Sequence, residues 1–537
     1  MTAPDLDAAR AAIDAADEVV TTATAHLAAT GNVDDDQVLA YDLAHAASAV
    51  ATGRAMLEYG AKGTLEAGLT TAFIADAIAE LASKLFGRER VWGISADALD
   101  STRAFVAEHR DPKFLAGLAG QAGPNHLDAD FEMVQDTFRR FAEDKIVPVA
   151  EHIHRTNGDI TEEIISGLAE MGGFAMSVPE EYGGFATGTE SDYMGMVVAT
   201  EELSRGSLGA GGSLITRPEI LTRALEAGGT EEQKQYWLPR LASAEDMAAV
   251  AVTEPDYGSD VANIKVTATP TEGGWLINGV KTWCTFGARA TVLMLLARTD
   301  PDRSKTHRGL TLFCVPKEIG EGEGFEFIQE AGAEGGAAGG GKMEGRPIDT
   351  IGYRGMHSYE IAFDNWFVKA ENQVGGEGGL GRGFYYQMSG FENGRLQTAA
   401  RAVGVMQAAY EEAVTYANDR KVFGQPVGDY ELTQVKLTRM AATIQAARQF
   451  SYAVAHMMAN GEGSLEASMV KAYVCRAAEW VTREAMQIHG GFGYAEEYPV
   501  SRYFVDARVL SIFEGADETL ALKVIARRLV ADAQAAS

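Results

Sequence analysis

Glu514, in Phe513-Glu514-Gly515 just ahead of the last helical stretch, is the carboxylate with the strongest claim to proton transfer. A general base contributes typically ~10²–10⁴-fold and works best with a pKa near the working pH, which an apolar, dry pocket gives a glutamate through desolvation. On its own, Glu514 reads rather as an N-terminal helix carboxylate stabilised by the dipole. Four further segments keep it company. Thr253-Glu254-Pro255-Asp256-Tyr257-Gly258-Ser259-Asp260 is an acidic turn, with Pro and Gly setting backbone angles and Ser and Asp able to bond local amides. Lys281-Thr282-Trp283-Cys284-Thr285 has the texture of a strand, on which Trp283 and Thr285 share a face. Arg420-Lys421-Val422-Phe423-Gly424-Gln425 offers a guanidinium fork suited to phosphate, although a solvated arginine is the commoner fate. Gln487-Ile488-His489-Gly490-Gly491-Phe492-Gly493 would let backbone approach a ligand without a Cβ in the way.

The elements that must position these residues follow from hydrophobic period. Residues 4 to about 110 are Ala-rich, with small or apolar residues every three or four positions, as in Leu39, Leu43, Ala46, Val50, Gly53 and Leu57. Breaks at Gly31-Asn32, Gly60 to Gly63 and Gly87 predict three or four closely packed helices, and the glycines of Leu115 to Pro124 predict a linker. Phe131, Val134, Phe138, Phe141 and Ile146 form the face of another helix, with Pro148 marking an interruption or a start. Helices are expected around Glu162 to Met171, Tyr193 to Arg205 and Thr230 to Ala242. From about Asp246 the texture is of strands: Ala249 to Val252, Trp275 to Ile277, Val292 to Leu296 and Leu310 to Phe313. Gly and Ala dominate Ala331 to Gly345, which predicts a mobile surface loop. Helical period then resumes over Tyr385 to Arg420, Glu431 to Ala459, Ser464 to His489 and Glu518 to Ala531.

The expected fold is α+β and multidomain: a helical extension and linker (1–125), an all-α domain (126–245), a β-barrel or sandwich domain (246–375) and a C-terminal four-helix bundle (376–537). A chain of 537 residues accommodates roughly three or four domains of ordinary size. Its net charge of -30 and lack of Lys/Arg clusters argue against nucleic acid or an anionic membrane surface as partner. Cys284, Cys314 and Cys475 are too few and too scattered for a disulfide framework or a paired-cysteine metal site, so no metal is expected and a reducing cytoplasm is the expected home. The first residues show no basic stretch followed by an apolar one, and no run approaches about 18 apolar residues, so neither export nor a membrane span is expected.

From about residue 127 onward, these motifs in this order and spacing resemble the flavin-dependent acyl-CoA dehydrogenases. The resemblance implies FAD as cofactor, an acyl-CoA substrate and electron-transfer flavoprotein as electron acceptor. It places Glu514 as the base that removes the α proton of the thioester. A minority of relatives carry the base immediately before an Arg at the start of the long helix; here that position is Gly394, before Arg395, so the chain offers one base. By the same resemblance Val252, Thr253, Ser259, Trp283, Cys284, Thr285 and Asp517 contact the flavin, with Trp283 against the ring and Thr285 near N5. Arg420, Phe423, Gln487, Gly490 and Gly491 fall to the flavin of a neighbouring subunit, which implies a homodimer or homotetramer. Glu431 departs from the family, where many relatives carry Gln, and either weakens a flavin-phosphate contact or faces solvent.

Ser259, Glu392, Arg395 and Gly515 are the implied substrate contacts. An extension of about 120 residues resembles the branch of the family acting on methylsuccinyl-CoA, whose product is mesaconyl-CoA. A second substrate carboxylate needs a cation or dense donors, because burying it unpaired costs several kcal/mol. Arg217 is the first candidate, then Arg354 and His357, although surface exposure is the commoner fate of each type. Two readings compete: a dehydrogenase or oxidase of another short branched or dicarboxylic acyl-CoA, and a noncatalytic flavin-binding protein whose extension is an interaction module.

Overall fold

The computed structural model describes residues 4–320, 323–332 and 336–536. In chain order the principal helices are α1 (Leu6–Thr30), α2 (Gln37–Gly60), α3 (Thr64–Leu85), α4 (Ala129–Phe141), α5 (Thr216–Gly228), α6 (Gly383–Asp419), α7 (Glu431–Ala459), α8 (Ser464–Ile488) and α9 (Val500–Leu510). Two compact units emerge, one of Met1–Arg139, Val197–Arg205 and Arg395–Ser537, the other of Arg140–Met196 and Gly206–Gly394.

In the first unit, α1 starts where the Asp5 carboxylate accepts from the amides of Asp7 and Ala8, two donors that the first turn leaves unpaired. It buries Ala9, Ala12, Ile13, Ala16, Val20, Ala23 and Leu27 along one stripe. Small residues bring the axes together: a Cβ at Gly53 of α2 would lie 2.7 Å from Ile13 Cδ1. Helix α2 packs on α1 and α3, and also on α7, α8 and the segment Leu520–Ala526 near the C-terminus. The linker is fastened rather than loose, since Gln445 Nε2 donates to the carbonyls of Ala122 (2.8 Å) and Gly123 (2.9 Å). At the heart of the C-terminal helices, Arg448 of α7 donates to Glu201 at 2.6 Å and to Gln407 at 2.9 Å.

The second unit is built on a sheet of strands β1 (Ala248–Ala251), β2 (Thr267–Thr271), β3 (Gly274–Thr285), β4 (Val292–Arg298), β5 (Leu310–Pro316), β6 (Phe325–Gln329), β7 (Gly341–Pro347) and β8 (Ser358–Lys369). Their order is β1-β4-β2-β3-β8-β7-β6, with β5 also on β4. The sheet is mixed, because β1 and β2 run parallel to β4 while the other pairs are antiparallel. All seven residues of β4 are buried, which is why it reads as an unbroken apolar run. Leu221, Leu225, Trp237 and Leu241 cover Val292, Met294, Leu296 and Leu312 in one core.

The helical extension, the strand-rich middle and the C-terminal helices follow the fold class expected, and Glu431–Ala459 has the expected bounds. Two corrections arise. Residues 341–345, expected in a mobile loop, belong to β7, paired with β6 and β8 from Gly341 to Pro347. Composition misled here, because the strand's hydrogen bonds come from distant neighbours; residues 333–335 of the same stretch lie outside the described residues. Helix α9 and strands β2, β6 and β8 were not anticipated.

Candidate active site

In the second unit the acidic turn and the Trp283 strand form one construction. Glu254 and Tyr257 exchange backbone hydrogen bonds across Pro255-Asp256, and the amide of Thr282 donates to Thr253 O at 2.8 Å. Below them lies a buried ion pair, in which Lys281 Nζ donates to Glu254 Oε1 (2.9 Å) and to Val252 O (2.8 Å). The Glu254 carboxylate also accepts from the amides of Lys265 (2.6 Å) and Val266 (2.8 Å), so the acid is held on both oxygens.

Register against β8 shifts between Lys281 and Cys284, and Trp283 takes φ 57°. This bulge, not plain alternation, sets the indole's direction and leaves it 54% exposed while Cys284 beneath is fully buried. Thr285 Oγ1 shares a 2.9 Å hydrogen bond with Ser358 Oγ on β8. An indole presented outward on strained backbone, with a hydroxyl two residues on, fits a planar heteroaromatic ring that would cover the one and bond the other. Ser259 is exposed at the end of the turn and Val252 is buried behind it.

Of the three cationic candidates in this unit, Arg217 stands apart. It is 5% exposed, and its hydrogen bond among the described residues runs from Nε to Ser213 O at 3.2 Å, with none from the terminal fork. Arg354 spends its donors on Thr350 O (3.0 Å) and His154 O (2.7 Å). His357 meets Asp159 Oδ1 at 2.5 Å and Asn157 Oδ1 at 3.2 Å. The commoner fate, exposure, therefore does not hold for Arg217 or His357: both are buried, His357 with Asp159 and Asn157 as partners and Arg217, among the described residues, with Ser213 O on its Nε alone. Close to Arg217, Asn393 Nδ2 on α6 donates to Glu219 Oε1 of α5 at 2.7 Å, and Glu392 beside it is partly buried.

In the first unit, Glu514 sits at the apex of a closed loop. The Asp517 amide donates to Ser511 O at 3.1 Å, and Phe513 N donates to Val509 O at 3.0 Å. Glu514 has φ 53° and Gly515 φ 95°, two successive left-handed residues, of which the first is costly for any side chain. Three groups grip the loop. Lys471 Nζ of α8 donates to Gly515 O at 2.6 Å, Arg401 lies over the Phe513 ring at 5.4 Å, and Asp517 Oδ2 accepts from Tyr41 Oη at 2.5 Å. Burial pulls Lys471 below the ordinary lysine range, while Cys475, Glu514 and Asp517 oppose that shift. Glu514 itself is partly buried, and Arg395 Nη1 donates to Ser468 Oγ at 3.2 Å in the same unit.

Arg420 and Phe423 lie on a two-strand hairpin, Lys421–Val422 with Gln425–Pro426, whose tip is Phe423-Gly424. Phe423 is 100% exposed, and Arg420 is exposed beside it. Gln487 is exposed in the last turn of α8, and Gly490 and Gly491 are exposed just after it; at Gly493 a Cβ would lie 2.1 Å from Met486 O. Of the two expectations set for Glu431, facing solvent holds: the residue is exposed, and its carboxylate pairs with the equally solvent-facing Lys113 at 2.5 Å. Sequence reading missed Lys281, Lys471, Tyr41 and His45; the one available signal was a lysine inside the apolar stripe of α8.

Comparison with known proteins supplies the rest. Residues 128–245, 249–366 and 381–530 match, in turn, the models of acyl-CoA dehydrogenase N-terminal, middle and C-terminal domains. The chain is similar to (2S)-methylsuccinyl-CoA dehydrogenase of Cereibacter sphaeroides, 44% identical over 410 residues, 76% of this chain and 71% of that protein. It is also similar to the mitochondrial 2-methylacyl-CoA dehydrogenase of Solanum tuberosum, 36% identical over 75% of this chain and 91% of that one. Among solved structures, a glutaryl-coenzyme A dehydrogenase in complex with glutaryl-CoA matches with a TM-score of 0.67, at 29% identity over 76% of this chain and 96% of the other.

Proposed function

Because the chain belongs to the acyl-CoA dehydrogenase family, an oxidoreductase with FAD as cofactor, we propose that it oxidises (2S)-methylsuccinyl-CoA to mesaconyl-CoA. The observation that carries the choice of base is the Glu514 loop, in which a carboxylate is held in a left-handed conformation by three separate grips. Strain of this kind persists only where the surroundings over-determine it, and it clusters at sites of chemistry. Glu514 takes the proton from the carbon α to the thioester carbonyl. FAD, when bound, accepts the hydride that leaves the β carbon. Trp283 and Thr285 orient the flavin ring, with Val252, Thr253, Ser259, Cys284 and Asp517 around it. Arg420, Phe423, Gln487, Gly490 and Gly491 serve the flavin of a neighbouring subunit in a dimer or tetramer.

The second carboxylate of methylsuccinyl-CoA is met by Arg217, whose unspent fork suits bidentate pairing. Glu392, Arg395, Ser259 and Gly515 line the thioester's path, and electron-transfer flavoprotein receives the electrons. Similarity to the methylsuccinyl-CoA enzyme at 44% identity supports this substrate. The potato 2-methylacyl-CoA enzyme supports a second reading, in which the acyl group is branched but carries no second carboxylate. Anaerobic flavin reduction of the purified protein by methylsuccinyl-, succinyl-, 2-methylbutyryl- and butyryl-CoA decides between them. Fastest bleaching by methylsuccinyl-CoA sustains the proposal; fastest bleaching by 2-methylbutyryl-CoA replaces it. Repeating turnover with oxygen against electron-transfer flavoprotein separates dehydrogenase from oxidase.

A further inference from the structure

The extension's helix α2 reaches the Glu514 loop directly. Tyr41 Oη donates to Asp517 Oδ2 at 2.5 Å, and His45 Nε2 lies 3.2 Å from the same oxygen. The two rings meet edge to face with centroids 4.5 Å apart, so each fixes the other's tilt. His45 is 6% exposed and Asp517 8%. Asp517 is also the residue whose amide closes the loop on Ser511 O, three positions beyond Glu514. Its side chain and its backbone thus tie one point of the loop to two elements at once. Arg476 of α8 stands over Tyr41 at 6.0 Å, and Lys84 and Glu518 are the other charged groups acting on the pair. Burial opposes ionisation of Asp517, yet the adjacent His45 ring and the bond from Tyr41 hold its carboxyl below the usual range.

We propose that α2 of the N-terminal extension is the positioning element of the proton-abstracting loop, with Tyr41 and His45 acting through Asp517 to hold Glu514 at its working angle. The inference rests on the assignment of Glu514 as base. At the apex of a loop with two successive left-handed residues, Glu514 is held through its neighbours: Arg401 lies over the Phe513 ring, Lys471 grips the Gly515 carbonyl, and Asp517 is the point reached from α2. Releasing Asp517 frees the loop to relax Glu514 toward an unstrained φ. Displacement by about 1 Å suffices to cost ~10²-fold in rate. Tyr41 and His45 touch no reacting atom and are positioning residues.

The test uses the flavin-loaded enzyme with Tyr41→Phe, His45→Leu and the double variant, and His45→Gln as the change that keeps a donor. Two readouts are taken: backbone amide exchange at residues 511–517, and anaerobic flavin reduction by methylsuccinyl-CoA with and without deuterium on the α carbon. The expected result is faster exchange at Asp517 in the double variant. Reduction should slow by about tenfold or more with a larger isotope effect, while flavin content and thioester affinity stay unchanged and His45→Gln recovers most of the rate. Unaltered exchange at 511–517, or a rate loss that only tracks lost flavin, overturns the inference. Glu514→Gln run in parallel separates the two claims: full activity there removes the base assignment, and the exchange measurement still decides whether α2 holds the loop.

Discussion

Lys281 Nζ lies 2.9 Å from Glu254 Oε1, and neither side chain reaches solvent to any useful extent. This pair stands directly under the bulge that turns Trp283 outward, so it ties the acidic turn to the strand that presents the indole. Removing one member of a buried pair leaves the other uncompensated, at about 3–5 kcal/mol. Glu254→Gln is therefore expected to lower stability by that order and to release flavin, as measured by chemical denaturation and by absorbance after gel filtration.

Burial, opposed by Glu254, pushes Lys281 down to about 8 from the ordinary lysine value of 10.5. A lysine whose folded pKa lies below its unfolded one contributes stability that is complete above the unfolded value and lost as pH falls through the folded value. Lys281→Met, which does not titrate, should accordingly compare best with the parent at pH 7 and lose ground as pH rises from 8 toward 10. Thermal melts of both proteins across that range check the sign; parallel curves refute it.

Gly515 has φ 95°, and a Cβ there would lie 2.9 Å from Leu520 Cδ2. Gly515→Ala pays for both backbone and contact, at roughly 1–2 kcal/mol for the left-handed strain alone. Lys471→Met removes the donor to Gly515 O without that strain. Both variants should keep flavin and lose turnover, with Gly515→Ala also melting lower.

Trp283 is half out of the fold, so its removal leaves no cavity. Trp283→Ala is expected to change stability of the flavin-free protein by no more than about 0.5 kcal/mol, yet to speed flavin dissociation. Fluorescence recovery of released flavin on dilution measures it; an unchanged rate would take the ring off this indole.

Arg217→Gln should discriminate between substrates. With the fork gone, a buried second carboxylate loses a charge-assisted pair, an effect of about 2–5 kcal/mol, and kcat/KM for methylsuccinyl-CoA falls steeply. Butyryl-CoA, which has no such carboxylate, should be handled as before. Equal losses on both thioesters would assign Arg217 to structure.

Local regularities carried much of this protein into its sequence. The period of Glu431–Ala459, the glycine breaks between α1, α2 and α3, and the apolar run of β4 each reflect interactions within a few residues or uniform burial on all sides. The same holds for Glu514-Gly515, where a side chain beside a glycine announces a turn, and for Trp283 and Phe423, whose chemistry depends on their own type.

What only tertiary structure decided were the partners. Tyr41 and Asp517 are 476 residues apart, Arg448 and Glu201 are 247 apart, and Gly-rich 341–347 becomes a strand through β6 and β8. No local pattern encodes such pairings, because a buried charge or an unpaired backbone amide is satisfied by whatever the fold brings near it. The same reason separates Arg217, with its fork unspent, from Arg354 and His357, whose donors the fold has already engaged.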